Sequence, residues 1–323
     1  MKILKTLQKI PGGLMIVPLL LGALVNTLFP EALNIGGFTT GMFKTGTAAI
    51  LGVFLFCNGA QINVKQAGEP LAKGVVLTLV KFAVGALIGL VINWTVGPVG
   101  ILGIIPATFI AAITNSNGGL FSALARQFGN SNDVGAVSIL SINDGPFLTM
   151  VALGTTGIAE IPFMALVATI VPIILGFILG NLDEDLRAFL APGTSLLIPF
   201  FAFPLGAALN FGQLAQAGIP GIFLGLLCVF ASGIAGYFSY RVMKWKHPQV
   251  GAAIGTTAGN AAGTPAALAT VGAITAEAAG IATAQIAAAI IITAILCPLL
   301  VSWLDKMDRK RAPQDYAAQP AVN

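Results

Sequence analysis

Charge is what this sequence has least of. Asp, Glu, Lys and Arg make up only 9% of its 323 residues, against about a quarter in an ordinary soluble domain, so the chain cannot coat itself in a hydrated surface. Its net charge of +4 gives little support to a nucleic-acid partner, because a phosphate backbone is followed by many Lys and Arg together. A single histidine, His247, rules out HExxH, and neither GxxxxGK(S/T) nor GxSxG occurs. ATP therefore does not drive this chain directly. His247 stands among Arg241, Lys244 and Lys246, which reads as a solvated basic loop. The three cysteines, Cys57, Cys228 and Cys297, are odd in number, lack metal-ligand spacing and fall in apolar runs. Packing is their expected role, and neither a metal nor another cofactor is expected.

What the sequence has is apolar length. It is 56% hydrophobic with a mean hydropathy of +0.91, and a spanning helix needs about 20 apolar residues, so a chain of this size has room for about ten. The runs are continuous, with none of the ten-residue alternation of a membrane β-barrel. Spans are expected at 13–30, 42–62, 72–94, 101–128, 133–157, 162–181, 190–211, 217–241, 248–272 and 280–304. Met1 to Lys9 is basic and precedes an apolar run like a signal peptide, but no small-x-small cleavage site follows, so a retained first helix is expected. With the amino terminus cytoplasmic, every Lys and Arg outside the spans falls on the inner side, while Glu31, Glu160 and Glu277 lie outside. This positive-inside pattern places both termini in the cytoplasm. Lys73, Arg126 and Arg241 stand at the inner ends of spans and count with the inner side, only Lys44 and Lys81 fall well within spans, and the polar tail 305–323 reads as a disordered basic anchor.

The chain also repeats itself. Ile16-Val17-Pro18-Leu19-Leu20-Leu21-Gly22 recurs as Ile170-Val171-Pro172-Ile173-Ile174-Leu175-Gly176, Phe54, Phe56 and Gly59-Ala60 recur as Phe201, Phe203 and Gly206-Ala207, and Ala111-Ala112-Ile113 as Ala252-Ala253-Ile254. Five spans per copy is odd, so the second copy enters the membrane from the opposite side. The expected fold is thus an all-α membrane protein of ten transmembrane helices in two inverted five-helix repeats, 1–158 and 159–304, an arrangement suited to alternating access.

Polar residues concentrate at equivalent places in the two copies. The fourth span contains Thr114-Asn115-Ser116-Asn117-Gly118-Gly119-Leu120, and the ninth contains Thr256, Thr257, Asn260 and Thr264, with Gly251, Gly255, Gly259 and Gly263 spaced to form one bare helical stripe. These are either small-residue packing helices or helices broken near the midplane, crossing there and turning amino ends and amides toward an anionic solute. Equivalent placement favours the second, because irregular backbone at membrane depth must be buried in protein or line a wet cavity. Asn58, Gln61, Asn143 and Asn210 add amides, and Asp144 is the one acid placed well inside a span. Such a lining suits a solute rich in hydroxyls with one acid group. An intramembrane acid is functional by default, so Asp144, with Asn143, is the candidate ion-coupling site. Its structural alternative is a cap of the broken helix or a pair with Lys81, which otherwise snorkels toward the cytoplasmic interface.

Through IPGGLMIVPLLLGAL, FCNGAQI, NGGL, DGPFLTM, LGTTGIA, GFILGNLDEDLR and IPFFAFPLG, the chain resembles the 2-keto-3-deoxygluconate permease family, bacterial inner-membrane proton symporters for a sugar acid. The likeness covers most of the chain and thins in the ninth and tenth spans. It implies ten helices in interleaved panel and core subdomains, as in the related sodium and bile-acid symporters, with the fourth and ninth crossing. It also implies import of a small sugar-acid anion with a coupling proton. Sodium coupling is the alternative, and a passive channel or a membrane-embedded enzyme are the readings from other classes. The inverted repeat weighs against the channel, and the lack of a nucleophile-base pair against the enzyme.

Overall fold

The structure, a computed structural model, describes residues 2–9, 13–63, 68–143, 145–208 and 211–311. Among them the regular elements are helical, and the only strand-like pairing is an isolated bridge between Ile101 and Ile104. A short basic helix α1 (Ile3–Lys9) leads into α2 (Gly13–Leu28), α3 (Gly37–Phe43), α4 (Thr47–Gln61) and α5 (Glu69–Val96). Next come α6 (Pro106–Thr114), α7 (Gly118–Phe128), α8 (Ser131–Gly135), α9 (Val137–Leu140) and α10 (Phe147–Thr156). The second half holds α11 (Phe163–Leu182), α12 (Glu184–Leu190), α13 (Gly193–Leu196), α14 (Ile198–Ala207), α15 (Phe211–Val242), α16 (Pro248–Gly251), α17 (Thr264–Thr270) and α18 (Ala276–Arg311). Proline sits in the first turn of α5, α6, α14, α16 and α17, where its missing N–H has no helical partner to lose. Gly97, at φ 84°, closes α5, a left-handed conformation that glycine takes without steric cost.

Among the described residues, five helical stretches, one of them running from α12 through α14 (Glu184–Ala207), are long and apolar enough to cross a bilayer, and counting each of two bent pairs as one span gives up to seven. The bent pairs are α3 with α4, at 62°, and Ser131–Asn143 with α10, at 63°. The ten expected spans exceed this number for a physical reason. Helix α2 has only 16 residues, and the fourth and ninth apolar runs are each cut into pieces too short to cross alone. Large apolar side chains are left uncovered along the long helices, among them Leu79, Leu87 and Trp94 on α5, Leu175 and Ile178 on α11, and Phe230 and Phe238 on α15. A multi-pass membrane protein meets lipid with such faces.

Glycine sets the closest helix contacts. A Cβ on Gly22 of α2 would overlap the Phe203 carbonyl of α14, and one on Gly206 would overlap the Leu19 carbonyl in return. Between α11 and α4 the same happens, with Gly176 against the Phe56 carbonyl and Gly59 against the Ile173 carbonyl. Small residues let backbones touch here, which is how helices associate where no water drives them together.

Several expectations are corrected. The glycines 251, 255, 259 and 263 do not form one stripe, because the helix carrying them is broken: Gly251 and Gly255 pack on α15, whereas Gly263 faces Leu51. Lys44 lies exposed in the bend between α3 and α4, where it donates to Asn34 Oδ1. Lys81 does not snorkel; it is fully buried. His247 is also buried rather than solvated, and burial pushes its imidazole below the usual range. Helix α18 runs on to Arg311, into the segment read as a disordered tail, with Asp305 and Asp308 buried. Asp308 pairs there with Arg241 and accepts from the Tyr237 hydroxyl at 2.7 Å. Lys73, expected at the inner end of the third span, is fully buried on α5 with Asp133 at 2.5 Å.

Candidate functional site

The fourth run breaks because its polar letters satisfy the backbone themselves. Thr114 Oγ1 donates to the Ile110 carbonyl at 2.8 Å and Asn115 Nδ2 to the Ala111 carbonyl at 2.9 Å, closing the carbonyl end of α6. Asn117 Oδ1 then accepts from Leu120 N at 3.0 Å and opens α7. Side-chain amides and hydroxyls compete with helical bonds in this way, and an Asn N-cap satisfies one of the four orphan amides of a helix start. In the ninth run α16 passes through a 3-10 turn, Ala252–Ile254, into an irregular stretch before a second 3-10 turn, Gly259–Gly263, and α17.

The two breaks meet. Asn117 N donates to Thr256 Oγ1 at 2.9 Å, and Thr257 Oγ1 donates to the Ala112 carbonyl at 3.1 Å. Asn143 braces the first break, its Oδ1 accepting from Ser116 N at 3.2 Å and its Nδ2 donating to Ser116 Oγ at 2.7 Å. Thr149 supports it from α10, with its hydroxyl 2.9 Å from that of Thr114.

A cavity of about 500 Å³ opens beside this junction, a size that suits a small organic solute. Seven of the sequence-predicted residues line it: Asn58, Gln61, Ser116, Asn117, Gly118, Gly119 and Asn260. Thr114, Asn115, Thr256, Thr257 and Thr264 do not. They are almost fully buried behind the wall; Thr114, Asn115, Thr256 and Thr257 hold the breaks together through the bonds just described. Asp144 and Asn210 lie outside the described residues. The lining also contains Ser122, Ser141, Thr194 and Ser195, which sequence reasoning missed. Ser122 had a signal, standing four residues after Gly118 on the same helical face.

Among the described residues, the electrostatics of the cavity come from backbone rather than from ions. No Lys, Arg, Asp or Glu among the described residues belongs to its lining. The amino end of α7 does, and the first-turn amides of Gly118 and Gly119 have no partner within their own helix. An 11-residue helix presents a partial positive charge there, and such an end holds a carboxylate without a basic side chain. Asn260 also lines the cavity, and its buried Nδ2 has no hydrogen-bond partner among the described residues. Of the other lining residues, Asn58 and Gln61 belong to α4, and Thr194 and Ser195 to α13. These amides and hydroxyls are suited to sugar hydroxyls.

Comparison with known proteins gives the family. The family described as 2-keto-3-deoxygluconate permease matches residues 4–310. A relative from Salmonella typhimurium named 2-keto-3-deoxygluconate permease 1 is 50% identical over 314 residues, covering 97% of this chain and 98% of its own. The 2-keto-3-deoxygluconate permease of Bacillus subtilis is 42% identical over 330 residues, covering both chains fully, and that of Xanthomonas axonopodis pv. citri is 40% identical over 309 residues, covering 94% and 96%. The chain is therefore a permease and not an enzyme, and it belongs to the 2-keto-3-deoxygluconate permease family.

Proposed function

We propose that this protein imports 2-keto-3-deoxygluconate, or a similar sugar acid, across the bacterial inner membrane by proton symport with alternating access. The observation that carries the reading is the meeting of two broken helices at a cavity whose positive potential comes from the amino end of α7. The sugar-acid carboxylate sits at Gly118 and Gly119, and its hydroxyls are read by Asn58, Gln61, Thr194, Ser195 and Asn260.

Ten spans follow if α2 and each broken run cross once. The inverted repeat is supported by the paired glycine contacts: Gly22 with Phe203 and Gly176 with Phe56 are one contact made twice, since the sequence repeat equates Gly22 with Gly176 and Phe56 with Phe203. Helices α2, α4, α11 and α14 then form the panel, and α5 to α10 with α15 to α18 the core. The cavity takes residues from both, so rocking one against the other moves it from one side to the other. Leu7, Gln61 and Thr194 lie toward the loops read as cytoplasmic, which makes this conformation inward-facing, with both termini inside. Asp144 carries the coupling proton, one residue from the Asn143 that braces Ser116.

Uptake by right-side-out vesicles tests this. Labelled 2-keto-3-deoxygluconate should accumulate uphill, an uncoupler should abolish accumulation, and replacing sodium with choline should change nothing. Asp144→Asn should lose accumulation yet keep exchange of substrate across the membrane. Equilibration without accumulation would return the channel reading, and normal accumulation by the Asn variant would remove Asp144 as the proton carrier.

A further inference from the structure

Two lysines of α5 are fully buried, and they are partnered in opposite ways. Lys73 Nζ lies 2.5 Å from Asp133 Oδ1 and 2.8 Å from Glu69 Oε1, the ordinary arrangement for a buried ammonium. Lys81 has no carboxylate partner among the described residues. Its Nζ donates to the Ile254 carbonyl at 2.7 Å and the Thr256 carbonyl at 2.6 Å, with Cys228 Sγ at 3.4 Å. Both carbonyls belong to the break in the ninth run, where the chain leaves its 3-10 turn at Ile254. A cluster of backbone oxygens released by an unwound membrane helix is the arrangement by which transporters coordinate a small cation. Here an ammonium on a four-carbon stem occupies it. The cost of holding a charge at this depth is hard to explain as packing, because a Leu or Met fills the same volume.

Position adds a second argument. On the offset that relates Phe54 to Phe201 and Gly59 to Gly206, Cys228 stands at the place of Lys81 in the second repeat, and the two touch. The ammonium is present in one half only. Thr256 links it to the cavity wall, since its carbonyl takes Lys81 while its Oγ1 accepts from Asn117 N, the residue that caps α7.

We infer that Lys81 is a tethered cation that fills a cation site at the ninth-helix break, so that this site needs no free metal ion, and that it holds Thr256 and thereby Asn117 in place for the anionic solute. It is a positioning residue and does not touch the solute. The inference rests on the transport reading of the two breaks, but its central claim, a cation site, is testable without any sugar acid.

The experiment uses the full-length protein in detergent and in vesicles, as wild type, Lys81→Ala and Lys81→Gln. In wild type the site is filled, so exchanging choline chloride for sodium or potassium chloride should leave the melting temperature unchanged. In Lys81→Ala the melting temperature should be lower in choline and should rise with the concentration of sodium, potassium or propylammonium, the last of which restores the missing atoms. Uptake by Lys81→Ala in choline should fall roughly tenfold or more, with partial recovery in the same cations. Lys81→Gln keeps hydrogen-bond donors without charge, so it should fold better than the Ala variant yet transport poorly. Wild-type uptake by either variant in choline would overturn the proposal, as would a loss in Lys81→Ala that no cation restores. If neither variant folds in any of these salts, Lys81 is a structural staple and the proposal falls. A cation response in the Ala variant with no sugar-acid binding by wild type would instead leave the cation site standing and sink the transport reading.

Discussion

Adding one methyl group at Gly119 separates a solute site from a packing motif, because the two make opposite predictions. A Cβ built there meets nothing within 4 Å except Asn117 Oδ1 at 3.5 Å, ordinary van der Waals contact. Gly119 is not among the left-handed glycines and lies in the first turn of α7, so alanine adopts its backbone without strain. For the folded protein, Gly119→Ala should therefore be neutral or stabilising, by about 0.4–1 kcal/mol, through the lower entropy of the unfolded chain. The same methyl projects toward the helix amino end, into the space from which a carboxylate approaches the amide. Loss of one hydrogen bond to a charged ligand costs about 1.5–3 kcal/mol, which weakens binding roughly tenfold to a hundredfold. Titration calorimetry with 2-keto-3-deoxygluconate gives the Kd, and a thermal melt without ligand gives the stability. The expected result is a raised Kd with an unchanged or higher Tm. An unchanged Kd would refute the placement of the carboxylate at this helix end, and a lowered Tm would show that Gly119 serves packing.

Asn260→Ala removes a buried donor that bonds no protein atom among the described residues, so binding should weaken about tenfold with little change in Tm; calorimetry and a melt together check this. Asp133→Asn leaves Lys73 with only the half-exposed Glu69, and breaking a buried pair costs about 3–5 kcal/mol. The Tm should therefore drop sharply, and Lys73→Met added to it should recover part of the loss. His247 is depressed mainly by burial, opposed by the Asp133 carboxylate. The unfolded chain thus takes up its proton first as pH falls, and stability should be full above about 6.5 and decline below it. Melts at pH 8 and pH 5.5 should show a smaller loss in His247→Asn, a residue that also tolerates the left-handed backbone at φ 61°. A reporter fused after Asn323 should be active only if it is one that works in the cytoplasm; a periplasmic signal would break the ten-span count.

How much of this was legible in the sequence depends on whether a feature is written in side chains. The long helices were, because twenty consecutive apolar letters allow little else in a bilayer: α5, α11 and α15 fall within a few residues of the expected spans. The break at Asn115–Asn117 was too, since Thr, Asn and Ser there hydrogen-bond to backbone in place of helical partners. The lining was read in part. Asn58, Gln61 and Asn260 are amides in apolar surroundings and stand out, whereas Thr194 and Ser195 sit in a short segment between α12 and α14, where hydroxyls are unremarkable. Buried charge was read least well. Lys73 looked like a residue at the inner membrane edge because its acid, Asp133, is 60 residues away. Lys81 looked like a snorkelling chain because its acceptors are backbone carbonyls 173 and 175 residues away. Every residue carries a carbonyl, so no letter marks the two that an unwound helix sets free. A cation site made of backbone becomes visible only when the fold brings the break to the lysine, and for that reason the coupling chemistry of such a transporter is less legible in sequence than its spans.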